Sequence, residues 1–414
     1  VIVIAVIAIL SAVLIPTFSN LIKKANLSND KQAVRNMNTV LVTYIEPENE
    51  ISDIMTHLRN SGYSYEKMIA FSKGFHYCYS KTTNQMYLVD DNNEVIFPEN
   101  SDIDKSDLWS AYGNHATYMI PGITKYYAIC EITSQEEFDS SFGNGTYTLD
   151  LNKNLCTVNG NDNVTVMNGS VVGGGFASSD NVVEVEESNA NNTVVTKNEN
   201  GKISKVVYTN VLNPEGVESG STKYADGSYV EYVNCVFTKH TGFYQNSQGL
   251  NVSFKNCTFI NIDSFGFTLQ PGNTVGKTST VEVDGCNFIN CNRGININAW
   301  ENTVVTISNS NFALKTGSSA YNCVQISSYS DDENLGSLKI NFYNNTIASA
   351  NGVVYYHDEM TGPQNLETFK SILNFTNNDY AEGVDLIADR GEYAEGHLLY
   401  NNETAMNELK ALIK

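Results

Sequence analysis

The segment VSFKNCTF, residues 252–259, decides the fold, because its eight-residue pattern returns along the chain. Its first and third positions are apolar or aromatic, the fifth is Asn256, the sixth is Cys257 and the eighth is Phe259. Alternating apolar positions lie on one face of a β-strand, and asparagine tolerates the left-handed backbone of a tight corner. The segment therefore predicts a strand, a corner and a second strand that faces inward.

Seven further copies, whose neighbouring starts lie 22 to 42 residues apart, follow the same frame. They are VTVMNGSV from Val164, VVYTNVLN from Val206, VEYVNCVF from Val230, VEVDGCNF from Val281, VTISNSNF from Val305, INFYNNTI from Ile340 and LNFTNNDY from Leu373. Position five is glycine in one copy, at Gly285, and asparagine in seven: Asn168, Asn210, Asn234, Asn256, Asn309, Asn344 and Asn377.

Copies of one strand pattern at irregular spacing are typical of a β-solenoid with loops of different length. We expect such loops around residues 186–202, 270–278 and 315–335. Stacked coils place like residues over like, which predicts an asparagine ladder and a phenylalanine stack; a β-sandwich gives no reason for asparagine at one position. This part resembles right-handed parallel β-helix proteins of the pectate-lyase-like class, and only the resemblance implies the handedness.

Three cysteines occupy position six of successive copies, namely Cys235, Cys257 and Cys286. Coils about 4.7–4.9 Å apart would allow a disulfide by distance, but side chains stacked in parallel seldom reach its near-perpendicular torsion. The next copies carry Ser310, Asn345 and Asn378 at this position. We therefore expect three buried, reduced thiols that pack as small apolar groups.

The end of the chain, residues 401–414, predicts a helix. Asn402 can cap it, and Met406, Leu409, Leu412 and Ile413 share one face. A helix here would cover the open edge of a solenoid, which otherwise invites aggregation.

Upstream of the repeats, residues 48–145 predict a small α+β headpiece. One or two short helices are expected between Ile51 and Phe71. Alternating apolar residues then predict a meander of short antiparallel strands from Phe75 to Phe97.

The chain opens with VIVIAVIAILSAVLIPTFSNLIKKAN, in which no charge precedes Lys23 and Lys24. Twenty-two residues of helix span about 33 Å, enough for a bilayer core. The run is longer than the apolar part of a secretory signal and lacks its basic start. From Phe18 to Tyr44 the apolar residues recur at helical spacing until Pro47.

The apolar run, Pro16, Phe18–Ser19–Asn20 and the lysine pair resemble the N-terminus of type IV pilins and pseudopilins over about the first 45 residues. The resemblance implies a helix held in the inner membrane before assembly and packed against its copies in a filament core afterwards. The family's processing site, aromatic first residue and glutamate are not among these residues, which implies a start inside the helix. The implied core residues are Val1, Ile4, Ala8, Leu10, Val13, Leu14, Ile15, Pro16 and Phe18.

The predicted organisation has four parts. A long helix covers 1–47, with 1–22 in the membrane or filament core and 23–46 amphipathic. The headpiece covers 48–145, the parallel β-helix 146–400 and the final helix 401–414. The fold class is thus an α+β pilin-like region followed by an all-β right-handed parallel β-helix with a C-terminal capping helix.

The formal net charge of −21 argues against nucleic-acid binding, which needs a basic footprint. No Cys-x-x-Cys pair, phosphate-binding loop or paired-carboxylate motif is present, so we expect no metal, no cofactor and no enzymatic activity. The carboxylates considered, which have no consistent Lys or Arg partner, are Asp226, Glu231, Asp263, Glu282, Asp284, Asp358, Glu359 and Asp385. His357–Glu359 and Asp331–Glu333 are metal candidates that a surface turn explains better.

The sequence therefore predicts a structural subunit of an extracellular type IV pilus-like filament that displays a β-helix, for example for adhesion. Its partners would be copies of itself, the inner membrane before assembly and surface glycans; Tyr244, Tyr321, Tyr355, Tyr356 and Trp300 are candidates for stacking on sugars. One alternative is a low-copy carbohydrate-binding adhesin or a pseudopilin of a secretion system. The other is a membrane-anchored polysaccharide lyase or hydrolase.

Overall fold

The computed structural model describes 17 stretches of the chain, with side chains from Phe18 onward. They are residues 2–44, 51–63, 68–99, 103–110, 122–127, 132–177, 181–186, 188, 191–218, 222–245, 249–271, 278–298, 302–317, 321–327, 336–357, 366–387 and 403–413. The chain divides into two compact units, Val1–Val182 and Val183–Lys414. The domain limits expected from the sequence stay predictions.

The protein is mostly β, with several parallel sheets and an N-terminal helix. The helix α1 runs from Ile2 to Val42 and includes Pro16. No helix in the described stretches combines the length and apolarity that a bilayer crossing requires.

The first unit is built on one seven-stranded sheet. Its helices are α1, α2 (Ile51–Asn60) and α3 (Gln135–Phe142). Its strands are β1 (Phe75–Ser80), β2 (Gln85–Asp90), β3 (Val95–Phe97), β4 (Leu108–Ser110), β5 (Lys125–Tyr127), β6 (Tyr147–Asp150), β7 (Leu155–Cys156), β8 (Val164–Met167) and β9 (Gly169–Val171). The sheet order is β3-β2-β1-β4-β5-β6-β8, and β7 pairs with β9.

The meander from Phe75 to Phe97 is confirmed as β1–β3, which pair antiparallel. The sheet as a whole is mixed, so the expectation of a small antiparallel sheet was wrong. From β4 onward, β5, β6 and β8 add in parallel. The first repeat copy, from Val164, supplies β8 and β9 and so belongs to the first unit.

Helices cover both faces of this sheet, because its strands alternate their buried side chains. Tyr77 of β1 packs in one core with Val34 of α1 and Leu58 of α2. Cys78, the next residue along the strand, packs in a second core with Phe138 of α3. The C-terminal part of α1 is therefore an integral layer of the first unit.

Short strands dominate the second unit. β10 (Val182–Glu184) lies at the boundary. The others are β11 (Thr193–Lys197), β12 (Ile203–Thr209), β13 (Tyr224–Val233), β14 (Val236–Phe237), β15 (Thr241–Gln245), β16 (Asn251–Lys255), β17 (Thr258–Ile260), β18 (Phe265–Pro271), β19 (Ser279–Asp284), β20 (Asn287–Ile289), β21 (Arg293–Ile297), β22 (Thr303–Ser308), β23 (Asn311–Ala313), β24 (Asn322–Ser327), β25 (Lys339–Tyr343), β26 (Thr346–Ser349), β27 (Gly352–His357), β28 (Leu373–Thr376), β29 (Asp379–Tyr380) and β30 (Asp385–Ile387).

Strands β11 to β30 form three sheets that the chain visits in a fixed order. The first sheet is β11-β12-β13-β16-β19-β22-β25-β28, the second β14-β17-β20-β23-β26-β29 and the third β15-β18-β21-β24-β27-β30. We call one strand from each sheet in succession a round, so residues from β13 to β30 make six rounds. Successive rounds pair in parallel and keep the repeat frame in register, as at Val230↔Val252 and Val252↔Val281.

The expected loop around residues 186–202 contains a strand instead. β11 pairs antiparallel with β12 and begins the first sheet. At the other end, α4 (Leu366–Ile372) and α5 (Glu403–Leu412) pack on β28, and α5 also contacts β30. Met406, Leu409 and Ile413 are buried in the core of this unit, as expected for the final helix. Leu412, which was expected on the same face, is exposed.

Aromatic rings at the repeat positions stack through the core of the second unit. At position eight, Phe237, Phe259, Phe288 and Phe312 lie face to face, with ring centroids 4.6–4.7 Å apart. At position three, Tyr208, Tyr232 and Phe254 stack at 5.1–5.2 Å. The predicted phenylalanine stack is therefore present.

We predict that Phe288→Ala lowers the free energy of unfolding by about 3–5 kcal/mol, because the fully buried ring lies between two stacked partners and its loss leaves a cavity. Far-UV circular dichroism of the full chain in urea measures the change. Val194→Ala, at an exposed position on β11, is the control and should change stability by about 0.5 kcal/mol or less. Equal midpoints for the two variants would contradict the stack.

Candidate functional site: the N-terminal helix and the stacked corners

A buried carboxylate fixes α1 to the first unit. Asp30 accepts hydrogen bonds from the backbone N–H of Phe71 at 2.7 Å, the N–H of Ser72 at 2.9 Å and the hydroxyl of Tyr77 at 2.7 Å. A buried carboxylate needs such donors to offset its desolvation. Burial, together with the neighbouring carboxylate, raises the pKa of Tyr77, so the hydroxyl stays a donor.

Two turns further along, Asn38 fixes the helix to the sheet. Its amide accepts from the N–H of Met86 at 2.6 Å and donates to the carbonyl of the same residue at 3.0 Å. Val34, Met37 and Leu41 are buried on this side of α1. The helix from Asp30 onward is thus held by both polar and apolar contacts.

The turns of α1 that precede Asp30 expose large apolar side chains. Phe18, Leu21 and Ile22 expose 59%, 56% and 58% of their surface. They lie at i, i+3 and i+4 spacing, which places them on one stripe of the helix. Lys23 and Lys24 are exposed beside them. Large apolar side chains that lie together on the surface mark an interaction site.

Most of the predicted filament-core residues precede this stretch. Phe18 is exposed, as described above. Val1 lies outside the described residues. The others belong to α1 by backbone, but their side chains lie outside the described part: Ile4, Ala8, Leu10, Val13, Leu14, Ile15 and Pro16.

The structure places all seven asparagines of position five in the left-handed region. Their φ angles are 51–56°, and Gly285 at the same position has φ 64°. This is the conformation expected from the sequence, and asparagine and glycine reach it at least cost. The residues are Asn168, Asn210, Asn234, Asn256, Asn309, Asn344 and Asn377.

What joins these corners is the backbone. The N–H at position five donates to the carbonyl at position four of the next copy, as from Asn234 to Lys255 and from Gly285 to Ser308. No hydrogen bond between two of the seven asparagine side chains occurs among the described residues. Two of these side chains donate to carboxylates, Asn168 to Asp150 and Asn309 to Asp284. Glycine can therefore replace asparagine at this corner, because the hydrogen bond to the next copy requires only the left-handed φ angle and the backbone N–H.

Position six forms a hydrogen-bonded column inside the stack. Its backbone N–H donates to the side chain at position six of the next copy: Cys257 to Cys286 Sγ at 3.4 Å, Cys286 to Ser310 Oγ at 3.0 Å, Ser310 to Asn345 Oδ1 at 2.9 Å and Asn345 to Asn378 Oδ1 at 2.9 Å.

The thiol and amide side chains of this column also donate backward, to the carbonyl at position three of the preceding copy. Examples are Cys257 Sγ to Tyr232 O at 3.4 Å and Asn345 Nδ2 to Ile307 O at 3.0 Å. The hydroxyl of Ser310 donates instead to the carbonyl of Ser308 in its own copy. The three predicted thiols are buried and free, as expected. They also form hydrogen bonds with the backbone, which the sequence analysis did not predict.

A second asparagine corner was missed by the sequence analysis. Asn261 and Asn290 have φ 56° and 51°, and the amide of Asn290 donates to Asn261 Oδ1. Asn261 and Asn290 each follow position eight of their copies by two residues. The recurrence of asparagine at this distance from position eight is the sequence feature that could have predicted the second corner.

Among the described carboxylates considered for catalysis, Glu231 and Asp263 lie in ion pairs. Lys205 and Lys255 both pair with Glu231, at 3.6 and 2.6 Å, and the hydrogen bond from Lys255 is the main cause that lowers the pKa of this carboxyl. Asp263 pairs with Lys315. No group of three metal-ligating side chains occurs among the described residues.

The other candidates fall into two groups. Asp331–Glu333, Asp358, Glu359 and Trp300 lie outside the described residues. Tyr355, a candidate for stacking on sugars, is buried, so it presents no face to a ligand.

The chain matches no protein-family model, no curated protein and no solved structure.

We predict that Asn256→Val lowers the free energy of unfolding by about 1–3 kcal/mol, because a β-branched residue is strained at φ 53°. Asn256→Gly keeps the backbone relaxed and should cost about 1 kcal/mol or less. The difference between the two urea midpoints isolates the strain. Identical midpoints for the valine and glycine variants would show that no left-handed corner exists here.

We also predict that the buried thiols of Cys257 and Cys291 resist alkylation until the protein unfolds. Burial and hydrogen bonds raise the pKa of Cys257, and burial raises that of Cys291 to about 12, so the reactive thiolate is scarce near pH 8. Iodoacetamide labelling followed by mass spectrometry tests this, with Ser19→Cys on the exposed part of α1 as the reactive standard. A Cys235–Cys257 disulfide in non-reduced digests would refute the hydrogen-bonded column.

Proposed function

We propose that this protein is a structural subunit of an extracellular filament resembling type IV pili, and that it polymerises through α1. The observation that carries the proposal is the division of that helix. From Asp30 onward α1 is anchored in the first unit, whereas Phe18, Leu21 and Ile22 are exposed. A helix that is fixed in its own subunit at one end and exposes apolar side chains at the other can bind neighbouring subunits.

The second unit would be the displayed part of the subunit. We propose that its six rounds form a parallel β-helix. Parallel pairing in all three sheets, recurring left-handed corners and stacked rings support this architecture. The two terminal helices α4 and α5, which pack on β28, would cover the last round.

The remaining parts of the proposal follow from this role. The apolar start of α1 would lie in the inner membrane before assembly and in the filament core afterwards. The net charge of −21 suits a solvated outer surface and disfavours nucleic acid as a partner. A surface-displayed β-helix of this kind would meet host or neighbouring glycans first.

Removal of residues 1–24 tests the proposal. The truncated protein retains Asp30 and Asn38, so its first unit should fold as before, with an unchanged thermal midpoint. After dilution from detergent, the full chain should form filaments in negative-stain micrographs. The truncated chain should remain a monomer by light scattering, because it lacks the exposed stripe and all that precedes it. Filaments from the truncated protein, or a monomeric full chain, would overturn the proposal.

A further inference from the structure

The exposed apolar side chains of the first unit are concentrated in one place. Among its described residues, six large apolar side chains are exposed. Three are Phe18, Leu21 and Ile22 of α1, and two are Ile69 and Phe71, which expose 45% and 64% of their surface. The sixth, Val42, lies at the other end of the helix.

Hydrogen bonds bring the loop Met68–Ser72 to the stripe on α1. Phe18, Ile22, Asn26 and Asp30 follow one another at i+4 spacing, so they lie along one side of the helix. Asn26 donates to the carbonyl of Phe71 at 3.4 Å, and Asp30 accepts from the N–H groups of Phe71 and Ser72. Ile69 and Phe71 are therefore held at the C-terminal end of the apolar stripe.

We propose that Phe18, Leu21, Ile22, Ile69 and Phe71 form one docking surface for the N-terminal helix of a second copy of this chain. This rests on the proposed function and adds a headpiece loop to the subunit interface. The loop is fixed before binding by its three bonds to α1, which lowers the entropic cost of association.

An open cavity of about 170 Å³ lies beside the loop. Met68, Ile69 and Phe75 belong to the apolar part of its lining, and Ser72 and His76 belong to the polar part. The cavity is large enough to receive one side chain of an incoming helix.

The sequence of the chain itself favours a second copy as the occupant. The first 22 residues carry no charge and are mostly apolar, so this segment of a second copy can bind the uncharged surface of Phe18, Leu21, Ile22, Ile69 and Phe71 without burying an unpaired charge. Lys23 and Lys24, which follow this segment, are exposed and stay in water.

The test compares Ile69→Ser/Phe71→Ser with Val194→Ser in the full chain. Both variants alter exposed side chains, so thermal midpoints should match the wild type. After dilution from detergent, ultracentrifugation measures the soluble concentration that remains beside the pellet. This concentration should rise about tenfold or more for the double variant and stay unchanged for Val194→Ser, because only the former truncates interface residues.

Photocrosslinking identifies the occupant. p-Benzoylphenylalanine at position 71 should give a chain-to-chain adduct within residues 1–24 of the second copy, whereas the same group at position 194 should not.

If the wild type forms no filaments at all, the proposed function fails and the docking surface with it. If filaments form but the double variant assembles like the wild type, the docking surface is refuted and the proposed function stands. Adducts to detergent or lipid alone would likewise refute it.

Discussion

The second unit depends on one backbone constraint, a left-handed residue at the corner after each strand of the first sheet. The corner turns the chain inward after position four and aims the N–H of position five at the next round. Because every round turns at the same point, the strands of successive rounds meet in register in the first and second sheets. The stacked phenylalanines follow from that register, since position eight always lies a fixed distance beyond the corner. The third sheet is not fixed in this way, since the paired residues Thr241 and Phe267 lie at different distances from their corners.

The first unit depends on the hydrogen bonds of two polar residues on α1. Asp30 connects α1 with a loop and a strand, and Asn38 connects the helix with the edge of β2. These two polar residues divide a 41-residue helix into an anchored part and an exposed part. The division gives the helix a defined direction from the folded unit, which an amphipathic stripe alone would not supply.

Local patterns were enough to predict much of this architecture. The corners at position five require a particular φ angle, and residue type reports that requirement directly. The mixed sheet of the first unit was not predictable in the same way, because the parallel pairing of β5, β6 and β8 joins distant segments. Asp30 has donors 41 to 47 residues away, so nothing near it in the chain identifies its role. The sequence analysis treated the thiols at position six as apolar groups. Their hydrogen bonds were not predictable, because the carbonyl acceptors come from the preceding copy and only the folded stack brings them within reach.

The column at position six also makes the rounds distinguishable. Along the stack it reads cysteine three times, then serine, then asparagine twice. The backbone N–H of Ser310 donates to an asparagine oxygen, whereas the backbone N–H of Cys257 donates to a sulfur, so the hydrogen bond at position six differs along the stack. A slip by one round would place the hydroxyl of Ser310 where a thiol fits and the amide of Asn345 where that hydroxyl fits, which changes the hydrogen bonds of the column. The order of side chains at position six therefore opposes a shifted pairing of otherwise similar rounds.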